Sequence, residues 1–498
     1  MTEIKTRYPE LETILEKYDV RIGIEVHCQL LTQSKIFSPS QNKANEAPNS
    51  LIDETCLGLP GALPVLNEAC LDLALRMALA LNCNIQERSS FSRKNYYYPD
   101  LPKGYQITQY DKPFCLNGYL TLESGKKINI ERIQLEEDAA KNIHVGSATL
   151  IDYNRAGVGL IEIVSYPDIY SPEEASDYLK KLHSYCVNLD ISEGSMEKGH
   201  FRADANVSIK PKGQKELGVR CEIKNINSFK YLEKAIAHEI QRHYKIIASG
   251  ETVHYETRGY DSDKGETYSL RTKASAQDYR FFPEPDLQDL LISKERIEKV
   301  KRELPELPEA KEERFKKDYK LPSYDAKIIA SNKIYSQYFE SLVLKLNENV
   351  SSKTISNFFM TDILRALKLH SESKGISLDD IHEIPYPLDY SCQLLDLTTK
   401  GTISNRIAKE VFEETLESSK SPLEIIEKRS LTQVSDESQI RKICLSIIES
   451  HSSQLNDYLN GKDRLFGFFI GQAMKASNGK LNPKKLNMIM KEEINNRK

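Results

Sequence analysis

Residues 21–30, RIGIEVHCQL, alternate apolar and polar side chains. In a β-strand, side chains two residues apart lie on the same face. Ile24 and Val26 would therefore share one face, and Glu25 and His27 would share the other. This stretch predicts a strand of an antiparallel sheet that has one apolar face and one polar face.

Further runs of this kind predict the rest of the sheet. They are KKINIERIQLEED (126–138), LIEIVSY (160–166), FRADANVSIK (201–210) and GVRCEIKNI (218–226). Helical periodicity predicts helices over residues 67–81, 171–189 and 228–247. Together these elements indicate a large α+β domain with a mainly antiparallel sheet.

Prolines indicate where this domain ends. Residues 280–290 and 302–315 contain several prolines, which stop regular structure and so predict a boundary and linker. Beyond them the chain becomes charged and helical, and another helical unit begins near residue 398. We therefore predict three parts, residues 1–293, 294–397 and 398–498.

Composition limits the function. The chain has 498 residues and a formal net charge of −4, so any contact with RNA must come from local basic patches. Its nine scattered cysteines form no C-x-x-C pair, which argues against a disulfide framework and a cysteine zinc site and favours a reducing cytoplasm. We expect neither a signal peptide nor a membrane span.

Residues 91–110, FSRKNYYYPDLPKGYQITQY, place Arg93, Lys94 and Lys103 among five tyrosines and two prolines. A core strand would not tolerate these cations and prolines, and a disordered linker would not carry so many rings. The stretch predicts a rigid loop that binds phosphates or unstacked nucleotides. A tyrosine-rich turn packed between subunits is the alternative.

Carboxylates recur on the polar faces of the predicted strands. Asp204 and Glu222 each lie on such a face, and Glu162 stands inside an apolar run, where an unpaired acid is costly. The run LEED adds Glu136, Glu137 and Asp138. Acids with one imidazole suit Mg²⁺ or Mn²⁺, although each face could also be the solvated side of the sheet.

Common catalytic motifs do not occur. The sequence contains no G-x-x-x-x-G-K-[ST] loop, no strand-linked G-x-G-x-x-G and no G-x-S-x-G elbow. HEIQRH resembles a zincin motif, but His238 and His243 are five residues apart instead of four. We expect an ordinary helix with two exposed histidines there.

Long irregular blocks recur in order along nearly the whole chain. They are GIEVH, CLGLPGALPVLN, FSRKNYYYPDLPKGYQITQ, QLEEDAAK, LIEIVSYPDIYSPEEA, RADANVSIK, EIKNINSF, DYRFFPEPDL and GFFIGQAMKASNGKLNP. In these blocks the chain resembles the B subunit of the bacterial glutamyl/aspartyl-tRNA amidotransferase.

The resemblance implies a fold and a function. The family combines a cradle-like catalytic domain, here 1–293, with a helical domain, 294–397, and an all-α tail domain that helps to bind tRNA, 398–498. Family members use ATP and Mg²⁺ to phosphorylate the side-chain carboxylate of Glu-tRNA(Gln) or Asp-tRNA(Asn). Ammonia from a glutaminase A subunit then displaces the phosphate, and a small C subunit completes a heterotrimer.

The resemblance also assigns roles to residues. The family's metal-binding motif positions correspond here to Glu25, His27, Glu137, Glu162 and Asp204, with Glu222 as a weaker candidate. Of these, the predicted catalytic residues are Glu25, His27, Glu137 and Asp204. The predicted contacts to ATP or the tRNA end are Arg93, Lys94, Lys103 and Tyr98.

One departure from the family concerns zinc. Many relatives carry a C-x-C and C-x-x-C zinc set, but here the corresponding segments read KIFSPSQN and DETC and keep only Cys56. The sequence therefore predicts no zinc. Two other functions stay open, a non-catalytic tRNA-binding scaffold and a free-standing ligase that uses ammonia directly.

Overall fold

The computed structural model describes most of the chain. The described residues are 8, 10–272, 278–346, 349–375, 378, 381, 383–418, 420–431, 436–477 and 481–497. The chain divides into two compact units, Met1–Lys311 and Glu312–Lys498.

The first unit contains the sheets. Its strands are β1 (Tyr18–Gln29), β2 (Asn84–Ile85), β3 (Arg88–Ser89), β4 (Ser92–Asn95), β5 (Tyr105–Thr108), β6 (Cys115–Thr121), β7 (Lys127–Glu137), β8 (Lys141–Val145), β9 (Ala148–Asp152), β10 (Gly159–Ser165), β11 (Phe201–Pro211), β12 (Cys221–Ile226), β13 (Glu256–Asp261), β14 (Glu266–Thr272), β15 (Phe282–Pro283) and β16 (Leu290–Leu291). The main sheet has the order β14-β13-β12-β11-β1-β10-β7-β6-β2. Among its described pairs only β12 with β13 is parallel, which confirms the predicted antiparallel α+β class.

Helices of the first unit cover the apolar face of the main sheet. The helices of this unit are α1 (Leu11–Lys17), α2 (Glu54–Leu57), α3 (Glu68–Ala80), α4 (Pro172–Asn188), α5 (Phe229–Ala248) and α6 (Lys294–Arg302). Ile24 and Val26 of β1 are fully buried in the core that α3, α4 and α5 share with the sheet. The three long helices confirm the sequence prediction, and α4 begins as expected, with Ser171 Oγ accepting a hydrogen bond from the backbone N–H of Glu174 at 3.2 Å.

The second unit is helical. Its helices, counting one that begins just before the boundary, are α7 (Pro308–Asp318), α8 (Ser323–Ser331), α9 (Lys333–Leu346), α10 (Ser352–Phe358), α11 (Leu364–Lys374), α12 (Leu388–Thr399), α13 (Asn405–Ser418), α14 (Pro422–Arg429), α15 (Glu437–Ser450), α16 (Ser452–Leu459), α17 (Leu465–Ala476) and α18 (Pro483–Asn495). One apolar core runs from Phe315 to Leu431 and another from Ile440 to Ile494.

Two local expectations need correction. The division between the two units, after Lys311, falls inside the predicted linker 302–315, but this segment also contains the start of α7 at Pro308, because proline at the first position of a helix loses no hydrogen bond. His243 is fully buried and His238 is half-buried, so the prediction of two exposed histidines on α5 is wrong. Within the described part of the chain, no helix has the length and apolarity to cross a membrane.

Candidate functional site: a carboxylate cluster on the polar face of the sheet

The register of β1 brings predicted site residues together. Glu25 lies opposite Asp204 on β11, and His27 lies opposite Glu162 on β10. Since directly paired residues point to the same side of a sheet, these four side chains share the polar face, opposite the apolar core. We call this group, together with Glu136 of β7, the carboxylate cluster.

Glu136 is the member that the sequence analysis did not assign. One imidazole nitrogen of His27 and one carboxylate oxygen each of Glu136 and Glu162 lie within 4.8 Å of one another. Leu160 of β10 pairs with Glu136, and Glu162 pairs with Gln134, so Gln134 and Glu136 point to the same face. The alternation of side chains along QLEED, residues 134–138, predicts the same: Glu136 shares a face with Gln134, and Glu137 points to the other face.

Neutral donors hold these buried acids in place. Gln134 Nε2 donates to Glu162 Oε2 at 2.7 Å, and Thr108 Oγ1 donates to Glu136 Oε2 at 2.8 Å. Lys94 Nζ lies farther away, 4.0 Å from Glu136 Oε1. The ammonium of Lys94 therefore lies at the edge of the cluster. The hydrogen bonds from Gln134 and Thr108 fix the orientation of the Glu162 and Glu136 carboxylates.

The electrostatic balance of the cluster is uneven. Burial, reinforced by the charge of Glu136, raises the pKa of Glu162 to about 7. Burial also raises the pKa of Glu25, with added repulsion from Glu162 and Asp204. Burial would raise the pKa of Glu136 as well, but Lys94 and His27 outweigh it and lower that pKa. A divalent cation would relieve this repulsion.

His27 is suited to share such a cation. Burial lowers the pKa of its imidazole below the ordinary value. The ring is therefore neutral near pH 7, and a neutral imidazole is the form that binds metal ions. A hard, mostly oxygen donor set with one imidazole fits Mg²⁺ or Mn²⁺.

The remaining polar positions of the face are ion-paired or hydrogen-bonded. Lys224 Nζ lies 3.2 Å from Asp204 Oδ2 and 2.8 Å from Glu222 Oε1, so Glu222 contacts the cluster through this lysine. Asn206 Nδ2 donates to Glu25 Oε1 at 2.9 Å. These contacts place Asp204 and Glu25 on the β12 side of the cluster.

Glu137 lies apart from His27 and Glu162. Its carboxylate accepts hydrogen bonds from Lys103 Nζ and from the backbone N–H of Ile107, the latter at 2.8 Å. The preceding residue, Glu136, points to the cluster instead. The proposed roles of Glu137 and Lys103 as metal ligand and phosphate contact stay predictions, and here the two residues form a buried ion pair.

The other predicted ligand contacts occupy the loop around β4 and β5. Arg93 donates to both carboxylate oxygens of Glu284, at 2.7 and 2.8 Å, and to Asp286 at 3.1 Å. Lys94 lies between Glu136 and the ring of Tyr279, 5.2 Å from its centroid. Tyr98 is 57% exposed. The structure therefore pairs the cations within the protein and leaves Tyr98 accessible.

A second group of possible ligands is Cys221, Glu239 and His243, all buried. Arg242 Nε donates to Glu239 Oε2 at 2.9 Å, and Arg258 Nε lies 3.0 Å from Glu239 Oε1. Two guanidinium groups already neutralise this carboxylate and would repel a metal ion. We interpret the group as a structural ion-pair network.

Comparisons with known proteins agree with the sequence resemblance. A family model described as the GatB/GatE catalytic domain matches residues 20–298, and one described as the GatB domain matches residues 337–494. The B subunit of the aspartyl/glutamyl-tRNA(Asn/Gln) amidotransferase from Caldanaerobacter subterraneus subsp. tengcongensis is 46% identical over 482 residues, which covers 96% of this chain and 99% of the relative. The protein of the same name from Persephonella marina is 45% identical over 479 residues, with coverage of 96% and 99%.

The electrostatics of Glu162 predict a pH-dependent stability. The carboxyl group titrates at about 4.3 in an unfolded chain and at about 7 in the fold. The folded protein therefore binds the proton more tightly, and it loses stability as pH rises between these values. In metal-free protein, we expect Glu162→Gln to raise the free energy of unfolding at pH 8 by about 1–3 kcal/mol and to have little effect at pH 4.5.

Denaturant unfolding with a chelator, at both pH values, measures this effect. Adding Mg²⁺ at pH 8 should stabilise the wild-type protein and leave Glu162→Gln nearly unchanged, because the amide supplies no charge. If Glu162→Gln raised the free energy of unfolding equally at pH 8 and at pH 4.5, the ionised carboxylate of Glu162 would not be the source of the instability.

Proposed function

Since this chain belongs to the family of aspartyl/glutamyl-tRNA(Asn/Gln) amidotransferase B subunits, we propose that it amidates Glu-tRNA(Gln), Asp-tRNA(Asn) or both. The proposed reaction has two steps. The side-chain carboxylate of the tRNA-bound amino acid first takes the γ-phosphoryl group of ATP and releases ADP. Ammonia then attacks the acyl phosphate, so that a C–N bond forms, phosphate leaves and the amide remains.

The single observation that best supports this function is the carboxylate cluster. A carboxylate is a poor electrophile, and phosphorylation supplies its leaving group. His27, Glu136 and Glu162 would hold Mg²⁺, with Glu25 and Asp204 beside them. The ion would neutralise charge on the transferring phosphoryl oxygens.

The protein's own groups would orient the reactants. Lys94 at the edge of the cluster provides a fixed positive charge, which stabilises negative charge on a phosphoryl group that is being transferred. Lys224 keeps Asp204 in place from the other side. Water in the site would hydrolyse the acyl phosphate, and the burial of Glu136 and Glu162 limits its access on the sheet side.

The source of ammonia is proposed to lie in a partner. The relatives are named as one lettered subunit of an amidotransferase, and the sequence of this chain contains no Ser-Ser-Gly amidase signature. We propose a heterotrimer with a glutaminase A subunit and a small C subunit. The relatives' names cover both tRNA(Asn) and tRNA(Gln), and amidation of each misacylated tRNA by the reconstituted complex tests both substrates.

The proposal includes no zinc. Lys35 is fully buried, and its Nζ lies 3.4 Å from Cys56 Sγ. Asp53 accepts hydrogen bonds from Ser38 Oγ at 2.6 Å and from the backbone N–H of Cys56 at 2.8 Å. A single thiol with an ammonium beside it does not fit the four-ligand geometry of structural zinc, and the polar groups satisfy one another without an ion.

Replacing acids of the carboxylate cluster should stop amidation but leave the glutaminase activity of the partner subunit unchanged. We expect Glu136→Gln and Asp204→Asn each to lower the kcat of ATP-dependent amidation by a factor of about 100 or more. Glutamine hydrolysis by the glutaminase should continue. Glu123→Gln, an exposed acid in the turn before β7, is the matched control and should keep full activity. Retained amidation in both cluster variants would exclude the assigned site.

Metal analysis tests the zinc proposal separately. Purified protein should contain no stoichiometric zinc, and treatment with a strong zinc chelator should leave its melting temperature unchanged, since a structural metal would contribute folding free energy. One equivalent of bound zinc, or melting lowered by the chelator, would contradict the proposal.

A further inference from the structure

A lysine and a cysteine face each other outside the carboxylate cluster. Lys35, in the loop after β1, is fully buried, and its Nζ donates a hydrogen bond to the Sγ of Cys56 at 3.4 Å. Cys56 lies in the short helix α2 and is 4% exposed. We call these two residues the lysine–cysteine pair.

The thiol is the group that balances the buried ammonium. Burying an ammonium is costly unless a partner compensates its charge. Two acids lie nearby, but Asp53 already accepts two hydrogen bonds from other groups, and Glu137 is paired with Lys103. The charge of Lys35 therefore depends on Cys56, and an adjacent ammonium favours the thiolate form of a cysteine.

The two groups can react one after the other. A thiolate is the form of cysteine that peroxides oxidise. Burial lowers the pKa of the Lys35 ammonium, and the charge of Cys56 opposes this effect. Once the thiolate has been oxidised, the opposing charge is gone and burial favours the neutral amine. A neutral amine beside an oxidised sulfur is a nucleophile that can attack it.

We propose that Lys35 and Cys56 form an oxidant-sensitive crosslinking site whose co-reactant is a small hydroperoxide. The thiolate attacks hydrogen peroxide, an S–O bond forms, the O–O bond breaks, and the leaving hydroxide takes the ammonium proton. The Lys35 amine then attacks the sulfenic acid, the S–O bond breaks, and the hydroxyl group leaves as water with a proton from nitrogen. A sulfenamide S–N bond remains, sulfur has lost two electrons, and the peroxide has become two molecules of water.

The position of Cys56 favours a small oxidant. The residue itself is buried, whereas Glu54 before it and Leu59 after it are exposed. The sulfur therefore lies just beneath the surface. A molecule of the size of hydrogen peroxide reaches such a sulfur more readily than a bulky disulfide does.

The lysine–cysteine pair is packed against the buried ion pair of Lys103 and Glu137. A Cβ on Gly58, directly after α2, would lie 2.6 Å from Lys103 Cγ, so the end of α2 rests on this side chain. A Cβ on Gly157 would lie 3.7 Å from Cys56 Sγ and 4.0 Å from Glu137 Oε2. A covalent bond within the lysine–cysteine pair is shorter than the present hydrogen bond, so it draws α2 inward and displaces Lys103.

Mass spectrometry of the assembled complex after treatment with hydrogen peroxide tests the crosslink. Residues 22–43 should stay one tryptic peptide, because a modified Lys35 is not cleaved, and should be joined to the peptide 44–76 that carries Cys56. The joined peptides should be lighter than their sum by two hydrogen atoms. A thiol reductant should separate them and restore cleavage after Lys35.

Two variants and a matched control locate the reaction. Lys35→Met keeps an unbranched apolar side chain but removes the amine, and Cys56→Ser removes the sulfur, so neither should form the crosslink. Cys70→Ser removes another thiol of the peptide 44–76 and should crosslink like wild type, because burial raises the pKa of Cys70 to about 12 and keeps it protonated. The peptide masses are read on the wild-type protein, so the test does not depend on the folding of Lys35→Met.

Amidation measures the consequence. With ammonium chloride as the nitrogen donor, the partner's glutaminase does not contribute to the rate. Peroxide-treated wild type should lose amidation in proportion to the crosslinked fraction and recover it on reduction. Cys56→Ser should keep its rate under the same treatment.

The outcomes separate this proposal from the proposed function. Normal cleavage after Lys35 in peroxide-treated protein would overturn the crosslink, whether Cys56 carries an added oxygen or forms a disulfide with Cys28. A complete crosslink with an unchanged amidation rate would overturn the coupling to Lys103. Absence of amidation by the untreated complex would overturn the proposed function and leave the crosslink, which is read from peptide masses, unaffected.

Discussion

The alternation of side chains along β1 is the constraint on which the rest of the first unit depends. As an inner strand of the main sheet, β1 pairs on both edges, with β10 and with β11. Because side chains alternate between the two faces of the strand, Ile24 and Val26 point into the core, and Glu25 and His27 point to the polar face. A shift of one residue in either pairing would bury two ionisable groups and expose two aliphatic ones. The core therefore fixes the position of the site.

The polar face concentrates like charges at a cost that folding must offset. The cations available to the face are placed at its margins, with Lys94 beside Glu136, Lys224 between Asp204 and Glu222, and Arg202 donating to Asp138 at 3.0 Å. The carboxylate of Glu162 is repelled by Glu136, and this repulsion adds to the effect of burial in raising the pKa of Glu162. A divalent cation bound among these carboxylates would relieve their repulsion. Metal binding would then stabilise the folded protein.

The elements of the first unit could be predicted because their signals are local. Strand alternation, the Ser171 cap and the helical period of residues 228–247 all lie within one element. The alternation of QLEED likewise predicts that Glu136 shares a face with Gln134, whereas the family resemblance assigns the metal-binding position to Glu137. The sequence does not predict the pairing of Arg93 with Glu284, because 191 positions separate the two residues. The pairing of β4 with β15 brings them together.

The pairing of Arg93 changes how the loop at 91–110 acts. Composition suggested cations that face a phosphate, yet Arg93 and Lys103 neutralise buried acids and so fix the backbone from which the tyrosines project. The loop therefore keeps its conformation through contacts within the protein, and the exposed Tyr98 projects from a backbone that these ion pairs hold in place.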